Sequence, residues 1–168
     1  MKRVKEHMVR TIKWLWMALL CGLCGAYAGD HNLQPAQALH AYGQECAACH
    51  LAYPPALLPA ESWQRIMAGL SRHYGTDASL EAAQVQAIGR WLNSEAGTYK
   101  KVRAVPEQDR ITRSDWFVRE HRKVAPAVWQ LPSVKSPAQC AACHTRAEVG
   151  SFRERELRRP AGMVGSFE

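Results

Sequence analysis

Residues 46–50 read Cys-Ala-Ala-Cys-His, and residues 140–144 read the same. This C-x-x-C-H spacing is the c-type haem attachment signal, and geometry gives the reason. On one helical turn, two thiols three residues apart can each add across one vinyl group of a haem. The His directly after the second Cys then points its imidazole at the iron. The two alanines let the macrocycle lie close to the backbone. Zinc sites also use C-x-x-C pairs, but zinc leaves the His repeated after each pair unexplained. Cys46, Cys49, Cys140 and Cys143 are therefore read as the attachment points of two covalently bound c-type haems, with His50 and His144 as proximal iron ligands.

The other two of the six cysteines, Cys21 and Cys24, lie in a segment of different character. Lys2, Arg3, Lys5, Arg10 and Lys13 form a positive stretch, Trp14 to Cys24 an apolar run, and Ala26-Tyr27-Ala28 the small-residue pattern that a signal peptidase reads. The apolar run is shorter than the ~20 residues of a membrane-spanning helix. Residues 1–28 are expected to be a signal peptide cleaved near Ala28, leaving no membrane span in the mature chain. Export delivers the chain to an oxidising compartment such as the bacterial periplasm. Four cysteines there can form two disulfides; the His after each pair favours haem instead. The whole chain carries a net charge of +7, and removal of the segment's +4 leaves +3. Four haem propionates bring the holoprotein close to neutrality, so the basic balance is no argument for nucleic-acid binding.

Each iron also needs a sixth ligand or an open position, and that choice separates an electron carrier from a gas-binding or catalytic site. The remaining donors are His31, His40, His73, His121, Met67 and Met163. His31 lies close to the predicted new N-terminus, and His40 reads as a solvated side chain on the helix-like stretch before the first motif. Trp63, Ile66, Met67 and Leu70 recur at i, i+3, i+4, i+7, an amphipathic helix face that puts Met67 in a core. Met163 sits in a Gly-rich tail. His73 follows the amphipathic helix and precedes Tyr74-Gly75, with Asp77 expected to cap a second helix whose inner face is Leu80, Ala83, Ala87, Ile88, Trp91 and Leu92. His121 ends the apolar segment that begins at Trp116, opened by a Thr112-x-x-Asp115 capping pattern. With two irons to fill, these two apolar-flanked histidines are the expected distal ligands.

The expected fold is mainly α. Residues 29–100 form an N-terminal haem domain, with Gly97 ending its last helix. Residues 101–168 hold a polar, basic linker and a C-terminal haem domain rich in loops, because Pro126, Pro132, Pro137 and Pro160 interrupt it. Ser136, Pro137 and Gln139 form a capping box that places Cys140 to His144 in the first turns of a short helix.

Longer stretches add to these motifs. The run Glu45 to Pro59, Ser62-Trp63, Met67-Ala68-Gly69-Leu70, His73-Tyr74-Gly75, Arg110-Ile111-Thr112, His121-Arg122 and Val134 to His144 together resemble the bacterial dihaem cytochrome c family. The resemblance covers nearly all of the mature chain. It implies an N-terminal domain similar to a class I cytochrome c, a less regular C-terminal haem domain, and bis-His ligation of both haems with His73 and His121 distal. It also implies delivery of electrons to a small oxygen-binding monohaem cytochrome, often alongside a membrane b-type cytochrome. The expected protein is thus a periplasmic electron-transfer carrier and not an enzyme. The rival classes are a dihaem peroxidase-like enzyme and a gas-binding protein, each requiring a displaceable distal ligand.

Overall fold

The computed structural model describes residues 40–165; the predicted signal peptide and His31 lie outside the described residues. Among the described residues, four α-helices appear in chain order: α1 (His40–Ala47), α2 (Ala60–Ala68), α3 (Ala82–Ser94) and α4 (Asp115–Glu120). Short 3-10 turns join them. Among the described residues there is no β-strand, only two isolated bridges, His73 with Thr76 and His144 with Leu157. The mainly α expectation holds.

The N-terminal half is built on the α2–α3 pair. Trp63 and Met67 of α2 are buried and Ile66 and Leu70 half-buried, as their helical spacing requires. Glu61 in the first turn and Arg65 in the last complement the helix dipole. Ile88 and Leu92 of α3, Tyr42 of α1 and Leu58 complete one apolar cluster. The Trp63 Nε1–H donates to the Pro55 carbonyl at 2.8 Å, so the buried indole keeps its hydrogen bond. Met67 is a core residue, as its position on the helix face predicts. Within the basic stretch after α3, Val102 is buried, and Asp109 accepts a bidentate pair of bonds from Arg65 (2.7 and 2.9 Å).

Local capping departs from the sequence reading in three places. Asp77 does not cap α3: its carboxylate accepts from the Ser79 N–H (2.9 Å) and Oγ–H (2.6 Å), an Asx turn that ends before the helix begins. Ala83 is exposed, because five residues before Ile88 it sits roughly 140° around the helix from it. The cap of α4 is Ser114, whose Oγ accepts from the Phe117 N–H at 3.3 Å, while Thr112 lies in the 3-10 turn Ile111–Arg113.

The third capping departure is at the second haem motif. Ser136 Oγ accepts from the Ala138 N–H (3.3 Å), but no α-helix follows, only the 3-10 turn Cys140–Ala142. The Ala138 carbonyl already accepts from the Cys140 N–H (3.0 Å) and from a tyrosine hydroxyl, so it is not free for an α-helical ladder. Lys135, at φ 69°, turns the chain sharply just before. The rest of the C-terminal half is 3-10 turns and loops around a small apolar cluster of Val128, Val134 and Ala142, flanked by Trp129, Leu131 and Met163.

Candidate haem-binding site

Cys46 sits in the last turn of α1, and Cys49 and His50 follow just past its end. Tyr42, one turn before Cys46, is buried and donates its hydroxyl to the Tyr53 carbonyl at 2.6 Å, which ties the helix to the chain beyond the motif. His50 Nδ1 lies 2.6 Å from the Leu51 carbonyl. A proton there donates to that oxygen and leaves Nε2 with its lone pair free for a metal. The His50 ring stacks on Tyr53 (centroids 5.0 Å apart, planes 22°). Burial pushes the Tyr53 phenol up to about 12, with Cys140 adding to the effect, so it stays a hydrogen-bond donor.

His73 arrives from a different direction. It closes the 3-10 turn Leu70–Arg72 that follows α2, and Tyr74 (φ 50°) and Gly75 (φ 97°) then turn the chain back on itself. Tyr74 holds this left-handed conformation because its hydroxyl donates to the Gln108 and Asp109 carbonyls (3.1 and 3.2 Å) and the Arg110 guanidinium lies 4.2 Å over its ring. The turn brings the His73 ring to 6.0 Å from the His50 ring, with planes at 22°.

The second motif is assembled in the same way from other parts. The backbone N–H of Arg158 donates to Cys143 O (2.8 Å), and its guanidinium donates to the carbonyls of Ala141 (3.1 Å) and Ala142 (3.3 Å). The motif is therefore held by the returning C-terminal strap. His121 stands at the C-terminal end of α4. Its Nδ1 lies 2.9 Å from the Phe117 carbonyl, its ring stacks on Phe117 at 4.0 Å, and Trp129 stands 5.9 Å away. The His121 and His144 rings are 6.1 Å apart with planes at 75°.

Burial pulls the His144 imidazole down to about 4, with His121 adding to the effect. His73 is lowered as well, first by burial and then by His50 and Arg110. In both rings the shift favours the neutral form, which keeps a nitrogen lone pair. Burial also raises the Cys46 and Cys140 thiols to about 11. None of the four motif cysteines is paired in a disulfide. Among the described residues no three His, Cys, Asp or Glu side chains cluster as a metal cage, so the zinc reading finds no third ligand. Of the other donors, His40 is exposed at the start of α1 and Met163 is packed against the small C-terminal cluster.

The sequence profile of the dihaem cytochrome c family matches residues 42–152. The chain belongs to that family. Among solved structures it is similar to a dihaem c-type cytochrome of Shewanella baltica OS155, with 36% identity and a TM-score of 0.62 over 70% of this chain and 89% of that one. It is also similar to a dihaem cytochrome c of Rhodobacter sphaeroides, with 42% identity and a TM-score of 0.59 over 67% of this chain and 96% of that one. No curated protein matches the chain.

This dihaem cytochrome c is therefore an electron-transfer haem protein with two covalently bound c-type haems. Its residues fit that cofactor: each pair of unpaired thiols is followed by a His, and each such His faces a second imidazole across a gap. Each haem supplies an iron that alternates between ferric and ferrous. Two contributors escaped the sequence reading. Arg158 lies far downstream of the carbonyls it clamps and carries no local signal. Tyr53 follows the first motif closely, but nothing in its spacing says that its ring covers His50.

Proposed function

We propose that this dihaem cytochrome c is a periplasmic electron carrier whose two irons are each closed by two imidazoles, His50 with His73 and His144 with His121. One observation carries the reading. Two imidazoles bonded to opposite sides of one metal ion at about 2.0–2.1 Å set their ring centroids roughly 6 Å apart. The two histidine pairs have centroids 6.0 and 6.1 Å apart. A site closed on both sides makes and breaks no substrate bond, so the chain needs no catalytic residue and only one-electron transfer remains.

The chain's own groups then have defined tasks. The Leu51 and Phe117 carbonyls fix the tautomer and direction of His50 and His121. Phe117, Trp129 and Phe152 surround the second pair with apolar rings, which limits access of water. Two imidazole donors favour the ferric state relative to a His/Met pair, so low potentials are expected. Dihaem cytochromes c are typically exported, and among the described residues no helix is long and apolar enough to cross a membrane. The redox partner is read as a small oxygen-binding monohaem cytochrome, alongside a membrane b-type cytochrome. Arg119, Arg122 and Lys123 are exposed around His121 and offer a basic rim to such a partner.

The test is optical and paramagnetic spectroscopy of the holoprotein, with and without carbon monoxide. The expected result is a low-spin spectrum in both oxidation states, no Met-to-iron band and no response to carbon monoxide. His73→Ala should open only the first haem to carbon monoxide and His121→Ala only the second. A high-spin component or a carbon monoxide shift in the wild type would turn the reading to a peroxidase-like enzyme or a gas-binding protein. Unchanged ligand binding in both variants would remove His73 and His121 as ligands.

A further inference from the structure

Tyr53 touches both haem-binding segments. Its ring stacks on the His50 imidazole at 5.0 Å and 22°. Its hydroxyl donates to the Ala138 carbonyl at 2.8 Å, across 85 residues of sequence. The same carbonyl lies 3.7 Å from Cys140 Sγ, one of the sulfurs that tether the second haem. Three non-bonded contacts therefore lead from the first proximal imidazole to a tethering sulfur of the second site. The side chain has little freedom to leave this position. The Tyr53 backbone carbonyl is held by the buried Tyr42 hydroxyl at 2.6 Å, and the ring is half-buried.

We propose that Tyr53 is the positioning residue that couples the two haem sites, providing the contact path through which an electron crosses between them. One electron moves. The donor iron goes from ferrous to ferric as the acceptor iron goes from ferric to ferrous, and no proton is transferred. Tyr53 remains a neutral phenol throughout. It shortens the non-bonded gaps along the route and does not itself become oxidised. A hydrogen-bonded oxygen carries electronic coupling better than an empty gap of the same length, and the Ala138 carbonyl joins that oxygen to the sulfur.

The inference rests on the electron-carrier reading, but the two fail separately: spin state and carbon monoxide binding test ligation, whereas internal exchange tests Tyr53. The experiment is proton magnetic resonance of the half-reduced holoprotein, in which the haem methyl lines report electron exchange within one molecule. Three chains are compared: wild type, Tyr53→Phe and Tyr53→Met. Tyr53→Phe keeps the ring against His50 and loses the bond to Ala138. Tyr53→Met fills similar space without ring or hydroxyl and provides a second readout if the first variant matures poorly. Exchange is expected to slow severalfold in Tyr53→Phe and further in Tyr53→Met. Both midpoint potentials and both ferric low-spin signatures should stay in place in Tyr53→Phe. Exchange as fast as wild type in the two variants would overturn the proposal. So would a slowing in Tyr53→Phe accompanied by displaced potentials or altered signatures, because the effect would then belong to reshaped iron sites.

Discussion

Replacing Gly97 by alanine adds one methyl group where the fold has no room for it. Gly97 is buried, and its N–H donates to the Leu58 carbonyl at 2.8 Å, which fastens the chain after α3 to the segment after the first haem motif. A Cβ at Gly97 would lie 2.5 Å from the Ala56 carbonyl oxygen and 2.5 Å from Val102 Cγ1. Non-bonded carbons rest at about 3.5–4.0 Å, so both neighbours have to retreat by roughly an ångström. Neither can do so freely. The Ala56 carbonyl is backbone within the 3-10 turn Pro55–Leu57, and Val102 is 2% exposed. Overpacking typically costs about 1–3 kcal/mol, and a clash on two sides, one of them backbone, belongs at the upper end. A loss of about 3 kcal/mol lowers Tm by on the order of 10 °C in a chain of this size.

Gly89 supplies the control. It lies inside α3, where an added Cβ meets only Met67 Cγ at 4.0 Å. Alanine there should stabilise by about 0.5–1 kcal/mol, because glycine is the poorer helix former. The assay is thermal and denaturant unfolding of the holoproteins, followed by far-ultraviolet circular dichroism and separately by the Soret band. Opposite signs for the two substitutions are expected. A Gly97→Ala protein that melts with the wild type would refute the packing argument.

Two further outcomes follow from single contacts. Ser114→Ala removes the side-chain cap of α4 and should cost about 1 kcal/mol, read as a lower denaturant midpoint at unchanged m, with Ser114→Thr, which keeps the hydroxyl that caps α4 and donates to the Ile111 carbonyl, restoring part of it. An unaltered midpoint in Ser114→Ala would mean that the cap contributes nothing. The Asp109 carboxyl is held below its ordinary value, chiefly by its hydrogen bonds from Arg65. Its stabilising contribution is therefore present above the unfolded carboxylate value of about 3.9 and is lost as the pH falls through the lower folded value. Asp109→Asn should accordingly be less stable than wild type at neutral pH and converge with it in acid; a pH-independent difference would remove the ion pair as its cause.

The parts of the fold that were legible in the sequence are those written by period or by covalent chemistry. The α2 stripe of Trp63, Ile66, Met67 and Leu70 and the Ile88–Leu92 edge of α3 follow from helical spacing alone. The two C-x-x-C-H motifs follow from thiol chemistry. Caps were harder, because Ser, Thr and Asp serve turns as readily as helix ends. Asp77 took an Asx turn, and Ser114, two residues beyond Thr112, took the cap. The short helix expected at Cys140 failed for a reason no local pattern contains: the carbonyl that it needed is claimed by a tyrosine 85 residues away. His73 and His121 were singled out by their apolar flanks, one in each half of the chain with its own C-x-x-C-H motif; what the sequence did not contain is how each ring is brought to face its partner, which is decided by the Tyr74-Gly75 turn and by the end of α4.

Besides its backbone hydrogen bonds, the C-terminal half is held by side chains that donate to backbone oxygens. Tyr53 donates to Ala138, Arg158 to Ala141 and Ala142, Thr145 to Glu156 and Ser133 to Ala161. Every amino acid offers the same carbonyl, so such a bond makes no demand on the identity of the accepting residue. The burden of inheritance is thus uneven. Tyr53 and Arg158 are constrained by what they donate, whereas Ala138 and Ala161 can drift in sequence without losing the bond, subject only to the room around them. A mutational scan of this region should divide along that line, with intolerance at the donors and latitude at their acceptors.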